Sequence, residues 1–285
     1  MKDLYLSEHN GFFGNKYIDY LNMERMNLKG RKALITGSLG GIGSEIAITL
    51  AELGADLVLT DKADSDPEEL LNMIQSKSDV SFEFIGCDLE DQDNRSEFIK
   101  EVIENSGNLN ILINNAAFIG ESDLDGWNTD LENQSLDTWR RAIEVNLTAI
   151  FHFCKMLSPL IKRSSNGSII NIASIYGTNA PDYSLYEGLD MNNPAAYSVS
   201  KGGLIQLTRW LASTLAPDIR VNSISPGGIL RNQPPDFVHR YTNKTPLGRM
   251  AKNTDLKGVT AFLASDASAY ITGQNIIADG GFTLT

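Results

Sequence analysis

The chain has 285 residues, 42% of them hydrophobic and 21% charged, with a formal net charge of −12. That length and composition suit one globular α/β domain, and the acidic balance speaks against a nucleic-acid partner. No apolar run approaches the roughly 20 residues of a membrane span, the start lacks a secretory pattern, and Cys87, Cys154 and three scattered histidines show no ligand spacing, so a soluble, metal-free cytoplasmic protein is expected.

Residues 1–27 precede the first strand signal and carry Phe12, Phe13, Tyr17, Tyr20 and Leu21. An N-terminal extension so aromatic is expected to dock on the body or on a neighbouring subunit. From residue 28 to 285 one domain is expected, because short β-rich runs alternate with helical patterns and no linker divides them. The expected strands are Lys32–Thr36, Leu57–Thr60, Phe82–Gly86, Ile111–Asn114, Gly167–Ala173, Ile219–Ile224 and Gln274–Ala278. Helical patterns fall at Gly41–Leu53, Asp91–Ser106, Leu136–Lys162, Ala195–Ala216 and Thr254–Ser265. Such alternation demands crossover connections, hence a Rossmann-type, doubly wound parallel sheet of about seven strands with helices on both faces. Two stretches break the rhythm: a polar insertion at 177–194 and a Pro/Gly-containing segment at 226–250.

The turn Thr36-Gly37-Ser38-Leu39-Gly40-Gly41-Ile42-Gly43 follows an apolar strand and opens a helix. Gly37 permits the tight turn, Gly41 lets backbone approach a pyrophosphate, and Gly43 lets helix pack closely on strand. The helix start then offers free N–H groups and a positive dipole end to phosphates. Asp61 ends the second strand, where a carboxylate can hydrogen-bond ribose hydroxyls and repel a 2′-phosphate, so NAD is favoured over NADP. A solvated surface carboxylate is the alternative for Asp61. Asp88-Leu89 and Asn114-Asn115-Ala116-Ala117 also follow strands at their carboxyl ends, with a buried structural amide the rival reading of Asn114.

Tyr197 and Lys201 are four residues apart, about one helical turn, so phenol and ammonium share a face. A free phenol titrates near ~10 and is a poor base at neutral pH; a neighbouring cation favours the phenolate. Ser174 precedes this pair and could hydrogen-bond a substrate oxygen, or merely cap a strand end.

With these motifs in order, the chain resembles the short-chain dehydrogenase/reductase family from Gly30 to the C-terminus. Asn146 in Val145-Asn146-Leu147 and Pro226-Gly227 complete the pattern. The resemblance implies hydride transfer between a nicotinamide and an alcohol or ketone, with Tyr197 as general acid/base and Ser174 orienting the substrate oxygen. Lys201 would lower the tyrosine pKa and hold the nicotinamide ribose, and Asn146 would support a water-linked proton path. The implied cofactor contacts are Gly37, Ser38, Gly41, Ile42, Gly43, Asp61, Asp88, Leu89, Asn115, Ala116, Tyr197, Lys201, Pro226, Gly227 and Ile229. A homodimer or homotetramer is implied as well. The family's glycine after Asn115-Ala116 is replaced by Ala117, the threonine often found after Pro226-Gly227 is missing, and Tyr197 follows Ser174 by 23 residues, a long interval.

Arg231, Arg240, Lys244 and Arg249 stand against one acid, Asp236, within 229–250. They suit a phosphate or nucleotide group, or else they pair with the acidic body. In the insertion, Asp182, Glu187 and Asp190 could bind sugar hydroxyls while Tyr183 and Tyr186 stack on a ring; a subunit contact or a solvated flap is the alternative. The details Ser174-Ile175-Tyr176-Gly177, Tyr186-Glu187-Gly188 and Asp279-Gly280-Gly281-Phe282 are similar to oxidoreductases of bacterial surface-sugar and flagellin modification, linked with legionaminic-acid-type synthesis. The expected substrate is therefore a sugar phosphate or nucleotide sugar, with Tyr183, Glu187, Arg231 and Arg240 as candidate contacts. A 3-oxoacyl carrier-protein reductase, a gluconate-type polyol dehydrogenase and a catalytically silent dinucleotide-binding scaffold are the rival readings.

Overall fold

Seven short runs rich in Ile, Leu and Val pair side by side, all parallel, in the computed structural model, which describes residues 23–119 and 124–285. They are β1 (Lys32–Thr36), β2 (Asp56–Thr60), β3 (Phe82–Phe84), β4 (Ile111–Asn114), β5 (Gly167–Ile172), β6 (Ile219–Pro226) and β7 (Asn275–Ala278). Their order is β3-β2-β1-β4-β5-β6-β7. Every residue of β4 and β5 is buried, as a parallel sheet covered on both faces requires. The aromatic positions noted at 12–21 lie outside the described residues.

Successive strand residues face opposite layers, so the sheet has two cores. On one face Leu34, Val58, Leu112, Ile169 and Val221 pack under α3 (Gln92–Asn105), α5 (Ala149–Arg163) and α6 (Ala195–Leu215). On the other, Ile35, Leu57, Ile113, Ile170 and Ile224 pack under α1 (Gly41–Glu52), α2 (Glu68–Lys77) and α8 (Lys257–Ala264). Between β1 and β4 the strand order reverses direction. The carboxyl ends of the strands part there, and open sheets of this kind bind ligands at that crevice.

The fold departs from the sequence expectation in three places. Helix α2 was not expected, although Leu70 and Ile74, four residues apart, bury one face of it. Residues 226–250 are not an irregular segment throughout, because α7 (Pro235–Lys244) forms within them. Its Pro234-Pro235 start reads as a loop, yet proline suits the first helical turn, where its missing N–H has no partner to lose. The expected single helix at 136–162 divides into α4 (Leu136–Ile143) and α5, joined by one π-helical turn at Glu144–Thr148.

The glycine turn is set by contact distances. Gly37 has φ +62°, and a Cβ there would lie 2.7 Å from the Ala116 Cα. A Cβ on Gly43 would collide with the Gly37 carbonyl oxygen and lie 2.8 Å from Asn115 Nδ2. Gly43→Ala therefore forces α1 off β1, and urea unfolding is expected to show a loss of about 1–3 kcal/mol. An unchanged unfolding midpoint contradicts this packing argument.

Candidate active site

At the end of β1, the Thr36 hydroxyl accepts from the backbone N–H groups of Asn115 (3.0 Å) and Ala116 (3.1 Å). The Asn115 side chain returns two bonds, to the carbonyls of Thr36 (3.0 Å) and Gly37 (2.8 Å). Asp61 Oδ2 accepts from the Leu39 N–H at 3.0 Å. The loop is thus held from both neighbouring strands. Helix α1 begins behind it with no side-chain cap and no acid in its first turn. Gly40, Gly41 and Ile42 line a cavity of about 1040 Å³ along the carboxyl edge of the sheet. An uncapped helix start facing a cavity favours an anion such as a pyrophosphate.

Asp61, Asp88, Leu89 and Glu90 line the β2–β3 side of this cavity, while Ser174, Tyr197, Lys201, Pro226, Gly227 and Ile229 line the β5–β6 side. Asp88 is fixed by its N–H to Asn94 Oδ1 (2.7 Å), and its own carboxylate accepts from Glu90 N–H (2.9 Å). Two of the expected cofactor contacts lie elsewhere. Ser38 is fully buried beneath the loop, with its N–H donating to the Thr60 carbonyl, and Gly43 is buried against Gly37. Both shape the loop from below, since the cavity is lined by their neighbours. Asn114 is a structural amide: it donates to Asn171 at 2.8 Å, which in turn donates to Thr208 at 2.8 Å.

Ser174 follows β5 and is buried; its Oγ accepts from Tyr176 N–H (3.2 Å), and it lines the cavity beside the Tyr197 phenol. Lys201, one turn along α6 from Tyr197, is only 1% exposed. Its ammonium donates to the Ile172 carbonyl at 2.7 Å and sits 5.8 Å from the Tyr197 ring centroid. Burial lowers the Lys201 pKa to about 8. Burial raises that of Tyr197, against a lowering from the neighbouring Ser174 hydroxyl and from the charge of Arg231. In the chain alone desolvation of the phenolate outweighs its favourable neighbours, while the Lys201 cation is engaged by the Ile172 carbonyl.

Asn146 occupies the π-helical turn between α4 and α5 and is fully buried. Its Oδ1 accepts from Phe118 N–H (2.6 Å), and its Nδ2 donates to the Phe118 carbonyl (3.1 Å) and to Ser200 Oγ (3.1 Å). The side chain therefore ties the segment after β4 to the helix that carries Tyr197 and Lys201.

Of the four expected substrate contacts only Arg231 lines the cavity. Tyr183 and Glu187 are exposed outside it, and Arg240 is turned away to the carbonyls of Leu185 (3.2 Å) and Glu187 (2.6 Å). Lys244 pairs with Asp182, and Arg249 with Asp255 at 2.6 Å. The expected basic patch is mostly neutralised: α7 spends its cations holding the insertion. Sequence reasoning marked Tyr186 as a ring-stacking residue but missed the wall it builds with Tyr176, Phe237 and Tyr241. Tyr176 and Tyr186, joined hydroxyl to hydroxyl at 2.6 Å, line the cavity with Phe237 and Tyr241. Tyr186 packs on Phe237 at 5.4 Å between ring centroids, a contact across sequence that periodicity does not reveal.

A family model described as enoyl-(acyl carrier protein) reductase matches residues 37–283. The chain belongs to the short-chain dehydrogenase/reductase family. It is accordingly an oxidoreductase acting between alcohols and carbonyls with a nicotinamide dinucleotide. It is 33% identical to trans-4-hydroxycyclohexanecarboxylate dehydrogenase of Sinomonas cyclohexanicum, over 88% of this chain and 92% of that one. To the 3-oxoacyl-[acyl-carrier-protein] reductase of Thermotoga maritima it is 30% identical, over 91% of this chain and all of the relative. A solved structure from Beutenbergia cavernae, assigned as an NAD(P)-dependent gluconate 5-dehydrogenase with NADP at low occupancy, superposes with a TM-score of 0.81. It is 29% identical and covers 92% of this chain and 100% of its own. Among the described residues no helix is long and apolar enough to cross a membrane, and no group of His, Cys, Asp or Glu could hold a metal.

The buried ammonium carries a stability signature. Lys201 titrates at about 8 in the folded chain against 10.5 ordinarily, so between those values the unfolded chain holds more protons and stability rises with pH. Below that window the full cost of burying the charge applies. Wild type is expected to gain up to about 3 kcal/mol relative to Lys201→Met as pH rises through it, at ~1.4 kcal/mol per unit. Urea unfolding of both proteins from pH 7 to 10 checks this, and a flat or falling difference contradicts it.

Proposed function

We propose that Tyr197 is the general acid/base of an NAD-preferring dehydrogenase or reductase whose substrate is a sugar derivative. The reading is carried by Ser174, Tyr197 and Lys201 lining the same cavity that the glycine turn enters. The lining fits the dinucleotide: Gly40, Gly41 and Ile42 would hold its pyrophosphate, Asp61 its adenosine ribose and Asp88 with Leu89 its base. When bound, that group supplies the hydride acceptor or donor. Ser174 Oγ and the Tyr197 phenol would both hydrogen-bond the substrate oxygen, fixing the carbon that reacts. Tyr197 then takes a proton from an alcohol, or gives one to a carbonyl. Lys201 places a cation behind the phenol, and Asn146 acts as a positioning residue through Phe118 and Ser200. Catalysis of this kind contributes about 10²–10⁴-fold. Tyr197→Phe is expected to lower kcat/KM by that factor while NADH binding, read by fluorescence, stays within twofold. Full turnover in the variant contradicts the assignment.

Asp61 supports NAD. A carboxylate at the end of β2 repels a 2′-phosphate, which supports NAD for this chain although the Beutenbergia structure carries NADP. Wild type is expected to use NAD at least about tenfold better than NADP, and Asp61→Asn to narrow that ratio by removing the charge. Asparagine keeps an acceptor for Leu39 N–H, so the loop survives. An unchanged ratio overturns the role of Asp61.

The sugar reading draws support from the motif resemblance to surface-glycan and flagellin-modification enzymes, and from the gluconate assignment of a structural neighbour. The match to the whole Thermotoga reductase favours a second reading, reduction of a 3-oxoacyl thioester. Turnover of acetoacetyl thioester with NADPH but of no polyol or sugar would select that reading. Assembly as a homodimer or homotetramer through α5 and α6, where Phe151, Met156 and Trp210 are exposed, fits either substrate.

A further inference from the structure

The cavity's two halves differ in charge. Its carboxylates, Asp61, Asp88 and Glu90, all sit on the β2–β3 side. Among the described residues, the half around Ser174 and Tyr197 has no acid in its lining, and Arg231 is the exposed cation there. The other cations of its segment are engaged: Arg240 with two carbonyls, Lys244 with Asp182, Arg249 with Asp255. The Arg231 guanidinium has no hydrogen bond and no ion pair among the described residues. Its backbone, by contrast, is pinned. Arg231 N–H donates to Gln233 Oε1 at 2.7 Å, and Gln233 Nε2 donates to the Ile229 carbonyl at 2.8 Å, closing the turn just before Pro234-Pro235. A fixed stem with an unspent planar donor fork is suited to a carboxylate or phosphate.

We propose that Arg231 is the substrate-specificity residue of the site and that it binds an oxyanion group, carboxylate or phosphate, carried by the substrate near the oxygen that meets Tyr197. This rests on the catalytic reading above and narrows its substrate class to acidic or phosphorylated sugars over neutral polyols. The walls on that side, Tyr176, Tyr186 and Phe237, are neutral and add no competing charge. The field of Arg231 also reaches Tyr197 and favours its phenolate; an anion on the guanidinium would weaken that effect and move the activity profile to higher pH.

The test is a binding titration, independent of turnover. Wild type, Arg231→Gln and Arg231→Lys, each saturated with NADH, are titrated with gluconate, 6-phosphogluconate and sorbitol while NADH fluorescence is followed. Wild type is expected to bind at least one of the two anions more tightly than sorbitol. The two anions separate carboxylate from phosphate recognition. Arg231→Gln is expected to weaken the anion by about ten- to a hundredfold, with lysine between the two. Sorbitol and NADH affinities are expected to stay unchanged. Equal anion affinity in wild type and Arg231→Gln, or no anion binding to wild type, overturns the proposal. So does a loss of NADH affinity in Arg231→Gln, which would assign the guanidinium to the dinucleotide instead. Tyr197→Phe, run in parallel, removes one hydroxyl contact from anions and sorbitol alike, so its preference for the anion over sorbitol is expected to match that of wild type. Failure of the general-base assignment therefore shows in turnover, and failure of the anion site shows in these affinities.

Discussion

A buried ammonium at the carboxyl end of β5 organises this site. Lys201 is held by the Ile172 carbonyl at 2.7 Å, and desolvation makes that charge costly, so the surrounding chain is built to keep it in place. Ser174 stands two residues beyond Ile172 and Tyr197 one helical turn from Lys201. The turn at Ile175–Gly177 abuts α6 so closely that a Cβ on Gly177 would lie 2.7 Å from the Lys201 carbonyl carbon. The serine, the phenol and the ammonium are therefore spaced by backbone contact between a strand end and a helix, which leaves the side chains little freedom to drift.

Charge is distributed along the cavity in a way that sorts ligands. Carboxylates stand where a ribose would lie, the uncapped start of α1 faces the place for phosphates, and the catalytic half is neutral apart from Lys201 and Arg231. The insertion and α7 complete that half as one unit. Leu185, Tyr186, Phe237, Tyr241 and Met250 form a small core of their own, and the ion pair of Lys244 with Asp182 closes its outer edge. In this unit Arg240, Lys244 and Arg249 serve architecture, so Arg231, whose guanidinium has no hydrogen bond or ion pair among the described residues, acquires functional meaning.

Much of this was legible in the sequence. The seven strands fell close to their expected places because buried parallel strands are short apolar runs, and the glycine turn, Ser174, Tyr197 and Lys201 lie together as their motifs implied. What failed depended on contacts far apart in the chain. Asp182 and Lys244 are separated by 62 residues, and Arg240 and Glu187 by 53, so composition shows a basic segment while the fold pairs it off. The motif places Ser38 among the cofactor contacts, whereas in the fold it is fully buried and outside the cavity lining. Tyr176 and Tyr186 were visible as motif residues; their joining into a wall depends on how the insertion folds back. Helix α7 was hidden by its two prolines, which disguise a helix start as a turn.

The central claim is that, in the chain alone, burial outweighs every favourable interaction at the Tyr197 phenol, so the site waits with a neutral acid beside a cation committed elsewhere. Absorbance titration near 295 nm, taken as wild type minus Tyr197→Phe, isolates this one phenol among the tyrosines. The account predicts that it ionises above the ordinary value of 10 in the free protein. A phenol that ionises below 10 without any ligand would contradict it, and would mean that its favourable neighbours outweigh burial.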